Sequence, residues 1–238
     1  MKFNGLFFYT SKKVGKAIWD YGMIKENDRI LVAVSGGKDS LCMLKILKER
    51  IRFVPNKYEI VACFVDMGFS WIDKESLISY FKSESLDFVV SSPPVSWKGE
   101  SENFDCFWCS WNRRKVLFDT AERTGCSKIA LGHHMDDIVE TMLLNLFFNG
   151  EISTMRPYQE MFGGKLAIIR PLAYVEERQL EKLSSFLGLP VIKSMCPKKD
   201  ISKRKKMKGI IRDIEKINPE VRKNIFRSLK RIKKEYLL

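Results

Sequence analysis

Arg29-Ile-Leu-Val-Ala-Val34, followed at once by Ser35-Gly36-Gly37-Lys38-Asp39-Ser40, is the stretch that decides the fold. Six mostly apolar residues in a row suit a strand covered on both faces, and the glycine pair marks a tight turn. Leu41 to Arg50 then reads as a helix. A strand that delivers its carboxyl end to a glycine turn and a helix N-terminus builds a phosphate cradle. The glycines let the backbone approach the ligand, and the free N–H groups and dipole of the helix favour an anion. Lys38 adds a point charge, and Ser35 and Ser40 offer hydroxyls. A Walker A loop would carry Ser or Thr after the lysine and Gly five residues before Gly37, where this chain has Asp39 and Val32. The dinucleotide pattern G-x-G-x-x-G is missing as well.

Outward from this loop, strand and helix alternate. A helix is expected over 11–24, a second strand over Tyr58–Asp66 and a second helix over Trp71–Leu86. A third strand is expected over Asp87–Ser92, then a polar insert over 95–106 and a helix over Trp111–Thr124. Strand Lys128–Leu131, helix Asp136–Phe148 and a further strand over Lys165–Ile169 complete the series. This alternation predicts an α/β fold with a doubly wound, Rossmann-like parallel sheet, in which ligands sit at the carboxyl ends of the strands. After Pro190 the character changes. Met207, Ile210, Ile211, Ile214 and Ile217 stripe one helix, and Asn218-Pro219-Glu220 opens another whose apolar stripe runs from Val221 to Tyr236. The expected division is residues 1–192 for the α/β domain and 193–238 for a basic helical tail.

The charge is distributed unevenly between these parts. The 238-residue chain carries 42 Lys and Arg against 29 Asp and Glu, a net of +13. Residues 193–238 hold 17 basic and 5 acidic groups, so nearly all of the excess lies there, as expected of a footprint for a polyanion. With 45% apolar residues and no run long enough to span a bilayer, disordered, collagen-like and membrane-spanning classes are excluded, and a soluble, cytoplasmic protein is expected. The start, MKFNGLFFYTSKK, shows no secretory pattern.

Six cysteines in such a chain point to metal or redox chemistry rather than a disulfide framework. Cys106-Phe-Trp-Cys109 puts two sulfurs within reach of one metal or of each other. Cys196, in the unusual SMCPKK, is the natural third ligand. Cys42, Cys63 and Cys126 fall in expected core or turn positions and read as small hydrophobes. Three ligands with an open position suit catalysis better than a closed structural site. Asp136 and Asp137 follow Gly132-His-His-Met at an expected helix start. They suit a Mg²⁺ ligand or a general base, or simply complement the helix dipole.

SGGKDS after LVAV resembles the PP-loop of ATP pyrophosphatases, which cleave ATP between its α and β phosphates. That resemblance implies that Ser35, Gly36, Gly37, Lys38, Asp39 and Ser40 hold the pyrophosphate moiety, and that Asp66 contacts the nucleotide. VGKAIWDYGMIKENDRILVAVSGGKDS, CFWC with RRK, IALGHHMDDIVETMLLNLFFNGE and IIRPL together resemble the tRNA 2-thiocytidine synthetase family, with 2-thiouridine synthetases as near relatives. The likeness covers roughly residues 14–196. It implies that Cys106, Cys109 and Cys196 hold a [4Fe–4S] cluster with one iron lacking a protein ligand. Where the family pattern reads Cys-Gly-Ser-Gln at the third cysteine, this chain has Cys196-Pro-Lys-Lys, and its C-terminal region is shorter and more basic.

The mechanism implied is adenylation of a tRNA pyrimidine, cytidine first, at its C2 oxygen, followed by replacement of that oxygen by sulfur. Mg²⁺ and Lys38 would stabilise the leaving pyrophosphate, with Gly132 and Arg170 facing the nucleotide and Asp136 in a proton or metal role. The basic tail with Arg113, Arg114 and Lys115 would dock RNA phosphates, a salt-sensitive attraction. Sulfur would come from a separate donor, a cysteine desulfurase or inorganic sulfide. Zinc- or persulfide-dependent thiolation at Cys109 or Cys196, another PP-loop ligase, and a non-catalytic zinc-stabilised RNA-binding protein remain alternatives. Aromatic LFFNG and FDCFWCSW surfaces suggest a homodimer.

Overall fold

The computed structural model describes residues 5–69, 72–94, 106–192 and 203–236, with the backbone alone at Cys106. In chain order the elements are α1 (Gly5–Asp20), β1 (Asp28–Ala33), α2 (Lys38–Arg50), β2 (Tyr58–Val65), α3 (Lys74–Ser83) and β3 (Phe88–Ser91). They continue with α4 (Cys106–Arg123), β4 (Lys128–Ala130), α5 (Met135–Asn149), β5 (Tyr158–Met161) and β6 (Leu166–Ile169). Helices α6 (Glu177–Phe186), α7 (Lys203–Ile217) and α8 (Val221–Ser228) complete the chain. No helix among the described residues is long and apolar enough to cross a membrane.

The described residues form two compact units, 5–134 with 156–192 and 135–155 with 203–236. The second unit therefore takes in α5 as well as the tail helices, whereas a division at 192/193 leaves α5 with the sheet.

The first unit is built on a six-stranded sheet of order β3-β2-β1-β4-β6-β5. Its first five strands are parallel, as the alternation of elements requires. The two-residue side-chain period of a strand distributes β1 between the faces. Ile30 and Val32 enter one core with Leu41, Leu44 and Leu47 of α2, Phe81 of α3 and Leu180 of α6. Leu31 enters the other, with Val116, Leu117 and Ala121 of α4. From β1 the chain winds outward to β2 and β3, then returns to place β4 on the other side of β1. The strand order thus reverses between β1 and β4.

Several boundaries differ from the sequence expectation, each for a physical reason. Edge strand β5 pairs antiparallel with β6. Its sequence, Tyr-Gln-Glu-Met, carries no apolar run because an edge strand need not be buried on both faces. Helix α6 has no broad apolar stripe, burying Leu180, Leu183 and Ser184. Helix α1 spans Gly5–Asp20 rather than 11–24. It gives way to a turn in which Met23 N–H donates to the Ile18 carbonyl at 2.9 Å.

In the second unit, α5 contributes Val139, Met142 and Leu143 to a small core with Met207 and Ile211 of α7 and Val221 of α8. Helix α8 stops at Ser228, short of the expected Tyr236. Ile232 and Tyr236 stay 53% and 79% exposed, so burial of an apolar stripe does not carry the helix past Ser228. At its start, Asn218 Oδ1 accepts from Glu220 N–H at 3.1 Å, and the cap residue is Glu220 rather than Asn218.

Candidate active site at the carboxyl ends of β1, β4 and β6

The Ser35–Ser40 loop leaves β1 at the point where the strand order reverses, which is where open α/β sheets bind ligands. Gly36 adopts φ +82°, a conformation that L side chains rarely take. A Cβ there would also lie 2.9 Å from Ile192 Cδ1, and the Gly36 carbonyl accepts from Ile192 N–H at 2.9 Å. Gly37 caps α2 in an extended conformation. The two serines brace the loop from within. Ser40 Oγ accepts from Ser35 N–H at 3.1 Å and donates to the Gly37 carbonyl at 2.9 Å. Gly37 N–H donates to Ser35 Oγ at 3.3 Å. The loop is thus held as a preformed turn at the head of α2, whose positive dipole end faces the same way.

Lys38 stands beside this turn, its Nζ donating to Glu177 Oε1 at 3.1 Å and to Asp39 Oδ2 at 3.4 Å. Burial pulls its pKa down, but Asp39 and Glu177 outweigh that and hold it above the ordinary lysine value. It therefore stays a cation at neutral pH. Asp39 also lies 4.0 Å from Nε2 of the buried His134.

Gly132 continues β4 into the site. A Cβ at this position would meet the backbone N and Cα of Ser40 at 3.1 Å, so glycine lets the β4 end approach α2 closely. Next to it, His133 Nδ1 accepts from Arg170 Nε at 3.3 Å. Arg170, at the end of β6, is buried, and its Nη1 donates to the Arg156 carbonyl. The structure thus brings Ser35–Ser40, Gly132 and Arg170 to one edge of the sheet. Asp66, at the end of β2, accepts from Gly68 N–H at 2.9 Å and from Lys74 Nζ at 3.2 Å, so it shapes a turn there.

Cys109 lies in the first turn of α4, which begins at Cys106 and so includes the whole C-x-x-C. Arg113 Nη2 approaches its sulfur at 3.9 Å, one turn further along. Cys109 is half-buried, whereas Cys42, Cys63 and Cys126 are buried. Burial pushes the Cys42 and Cys63 thiols up to about 12 and raises that of Cys126. Cys196 lies outside the described residues, so the expected third sulfur has no placement here, and no cluster of metal-ligating side chains occurs among the described residues.

In the second unit, Asp136 is buried and accepts from Arg222 Nη1 at 2.9 Å. Asp137 pairs with Arg204 at 3.5 Å, and Glu140 with Lys208 at 3.8 Å. Part of the basic excess of the tail is therefore spent on the acidic edge of α5. Sequence reasoning did not single out Glu177 or Ile192. Neither sits in a motif, and each reaches the loop only through the fold.

The PP-loop domain family matches residues 107–196. The tRNA-cytidine(32) 2-sulfurtransferase of Geobacter sulfurreducens is 38% identical over 231 residues, spanning 94% of this chain and 90% of the relative. Its namesake from Polynucleobacter asymbioticus is 38% identical over 233 residues, spanning 94% of this chain and 76% of the relative. Among solved structures, the U34-tRNA thiolase NcsA from Methanococcus maripaludis with its [4Fe–4S] cluster superposes with a TM-score of 0.79 at 24% identity. That match covers 95% of this chain and 78% of the thiolase. The NH3-dependent NAD synthetase from Campylobacter jejuni follows at a TM-score of 0.54 and 14% identity, over 98% of this chain and 95% of the synthetase. These two likenesses are of fold. Identity with the sulfurtransferases over nearly the whole chain, together with the loop at the β1–β4 reversal, shows that this protein belongs to the tRNA-cytidine(32) 2-sulfurtransferase family of PP-loop enzymes.

Proposed function

We propose that this protein is an ATP-dependent tRNA sulfurtransferase that activates the C2 position of a tRNA cytidine by adenylation and replaces its oxygen with sulfur. The observation that carries this reading is the preformed loop with Lys38, closed by Gly132 and flanked by Arg170, in a chain of this family.

The loop N–H groups and Lys38 hold the β and γ phosphates of ATP. The cytidine C2 oxygen then forms a bond to the α phosphorus as the bond to the β-phosphate oxygen breaks, releasing pyrophosphate. Lys38 acts on the leaving pyrophosphate, where negative charge accumulates. Arg170, buried and held by His133 and the Arg156 carbonyl, would add positive charge beside the phosphates. Sulfide, supplied as inorganic sulfide or as cysteine-desulfurase persulfide sulfur reduced by a thiol, then forms the bond to C2 as the C2–oxygen bond breaks and the original oxygen departs on AMP. Mg²⁺ would be held by phosphate oxygens and a carboxylate.

The donor set suits an iron–sulfur cluster. Cys106 and Cys109 share the first turn of one helix, Cys109 is half-buried with a guanidinium beside its sulfur, and the other described thiols are buried elsewhere. Cys106, Cys109 and Cys196 would hold it. Bound there, a [4Fe–4S] cluster would supply an iron without a protein ligand, able to carry sulfide.

The test is direct. Protein prepared without oxygen is incubated with ATP, sulfide and unmodified tRNA, and the nucleosides are analysed. The expected result is 2-thiocytidine with matching AMP and pyrophosphate, both dependent on tRNA. Release of ADP, or AMP formation with no thiolated base, would overturn the reading. A second expectation concerns the loop. Gly132→Val drives a side chain into the Ser40 backbone, and a displacement near 1 Å should cost about a hundredfold in kcat/KM for ATP. An unchanged kcat/KM in a variant that melts like the wild type would show that the close approach is not needed.

A further inference from the structure

Helix α4 has two faces of different chemistry. Val116, Leu117 and Ala121 turn into the core, and Trp108 and Cys109 lean against it. The opposite stripe, at spacings of four, three and one, reads Phe107, Trp111, Arg114 and Lys115, all exposed. Phe107 is 72% exposed and Trp111 57%. Their rings are near-parallel, 17° apart in plane, with centroids at 6.2 Å.

Two large aromatic rings that face water side by side, one turn apart, add nothing to the core that Trp108 reaches. They form a flat apolar surface followed by two cations on the same stripe. Arg113, Arg114 and Lys115 place three cations just beyond the rings, and the first acidic residues of the helix, Asp119 and Glu122, lie one to two turns further along. Aromatic faces flanked by basic groups are what unpaired nucleic-acid bases need, with the base stacked on the ring and the phosphates on the cations. Phe107 shares the first turn of α4 with Cys106 and Cys109, and Trp111 follows one turn on.

We infer that Phe107 and Trp111 are the stacking platform for an unpaired base of the RNA substrate beside the sulfur-bearing cysteines, with Arg114 and Lys115 holding the adjoining phosphates. This assignment rests on the proposed tRNA thiolation and adds where the splayed loop is received. Phe107 and Trp111 act by positioning the RNA.

Binding of an RNA hairpin with an unpaired loop, and of a fully paired duplex of equal length, tests it without requiring turnover. The wild-type protein should prefer the hairpin. Phe107→Leu with Trp111→Leu should weaken hairpin binding about tenfold to a hundredfold, leave duplex binding nearly alone, and raise KM for tRNA more than it lowers kcat. The salt dependence of hairpin binding should keep its slope in this variant and become shallower in Arg114→Ala. Trp111→Phe keeps a ring and should restore most of the affinity. Melting curves of each variant separate these effects from misfolding, and Trp111→Leu alone serves if the double variant melts early.

Hairpin binding equal to the wild type in a folded double variant would overturn the assignment. So would a wild-type dimer that the double substitution dissolves, which would make the patch an interface between copies. A wild-type protein that makes no 2-thiocytidine but discriminates hairpin from duplex through these rings would instead defeat the thiolation reading alone.

Discussion

Cys196→Ser, purified without oxygen beside the wild-type chain, is expected to lose its iron and acid-labile sulfide, against about four of each per wild-type chain for a [4Fe–4S] cluster. Cys109→Ser should behave the same way, and thiolation should fall to background in both. The reason lies in the contrast among the cysteines. The thiols of Cys42 and Cys63 are pushed up to about 12 by burial, and Cys126 is raised for the same reason. Such groups stay protonated and inert at neutral pH, whereas a metal ligand must be a thiolate. Cys126→Ala therefore serves as the control, keeping its iron. One zinc and no sulfide in the wild type would sink the cluster. Full thiolation without iron, with a persulfide on Cys109 or Cys196 by mass spectrometry, would move the chemistry onto a cysteine.

Lys38→Met should lower tRNA-dependent AMP release by about a hundredfold to a thousandfold, the usual loss when one preorganised charge is removed from a developing anion. Lys38→Arg should recover part of this, because the charge returns without the reach of a compact ammonium. The pH dependence has a definite sign. Burial lowers the Lys38 pKa, but Asp39 and Glu177 raise it further, so the net direction is upward. Its contribution to folding is complete below the ordinary lysine value and is lost only as pH climbs through the raised folded value. No alkaline decline of AMP release between neutral and mildly basic pH should therefore come from Lys38. A decline there that vanishes in Lys38→Arg would contradict the assignment of its charge.

Much of the α/β unit was legible because its signals are local. Apolar runs bounded by turn residues mark β1, β2 and β4, and a strand that ends in two glycines before Lys38 can hardly lead elsewhere than a phosphate-sized turn. The grouping of Ser35–Ser40 with Gly132 and Arg170 was legible as well. Each lies at or just past the carboxyl end of a strand, and parallel strands bring those ends to one edge. Edge strand β5 was not legible, since Tyr158-Gln-Glu-Met161 is half-exposed and carries no run of buried residues.

What the amino-acid order determined by itself was the strand–loop–helix at residues 29–50, the alternation that sets a parallel sheet, and the inventory of chemistry. These follow from period, turn residues and charge, which act between near neighbours in the chain. Tertiary structure alone decided which charges oppose which. Glu177 holds Lys38 across 139 positions, and Ile192 covers Gly36. Arg204, Lys208 and Arg222 are drawn onto α5 by Asp137, Glu140 and Asp136, which removes them from the free basic face that composition alone suggests. Coulombic and packing energies depend on distance in space, and no sequence pattern marks two residues that meet only after the chain has folded.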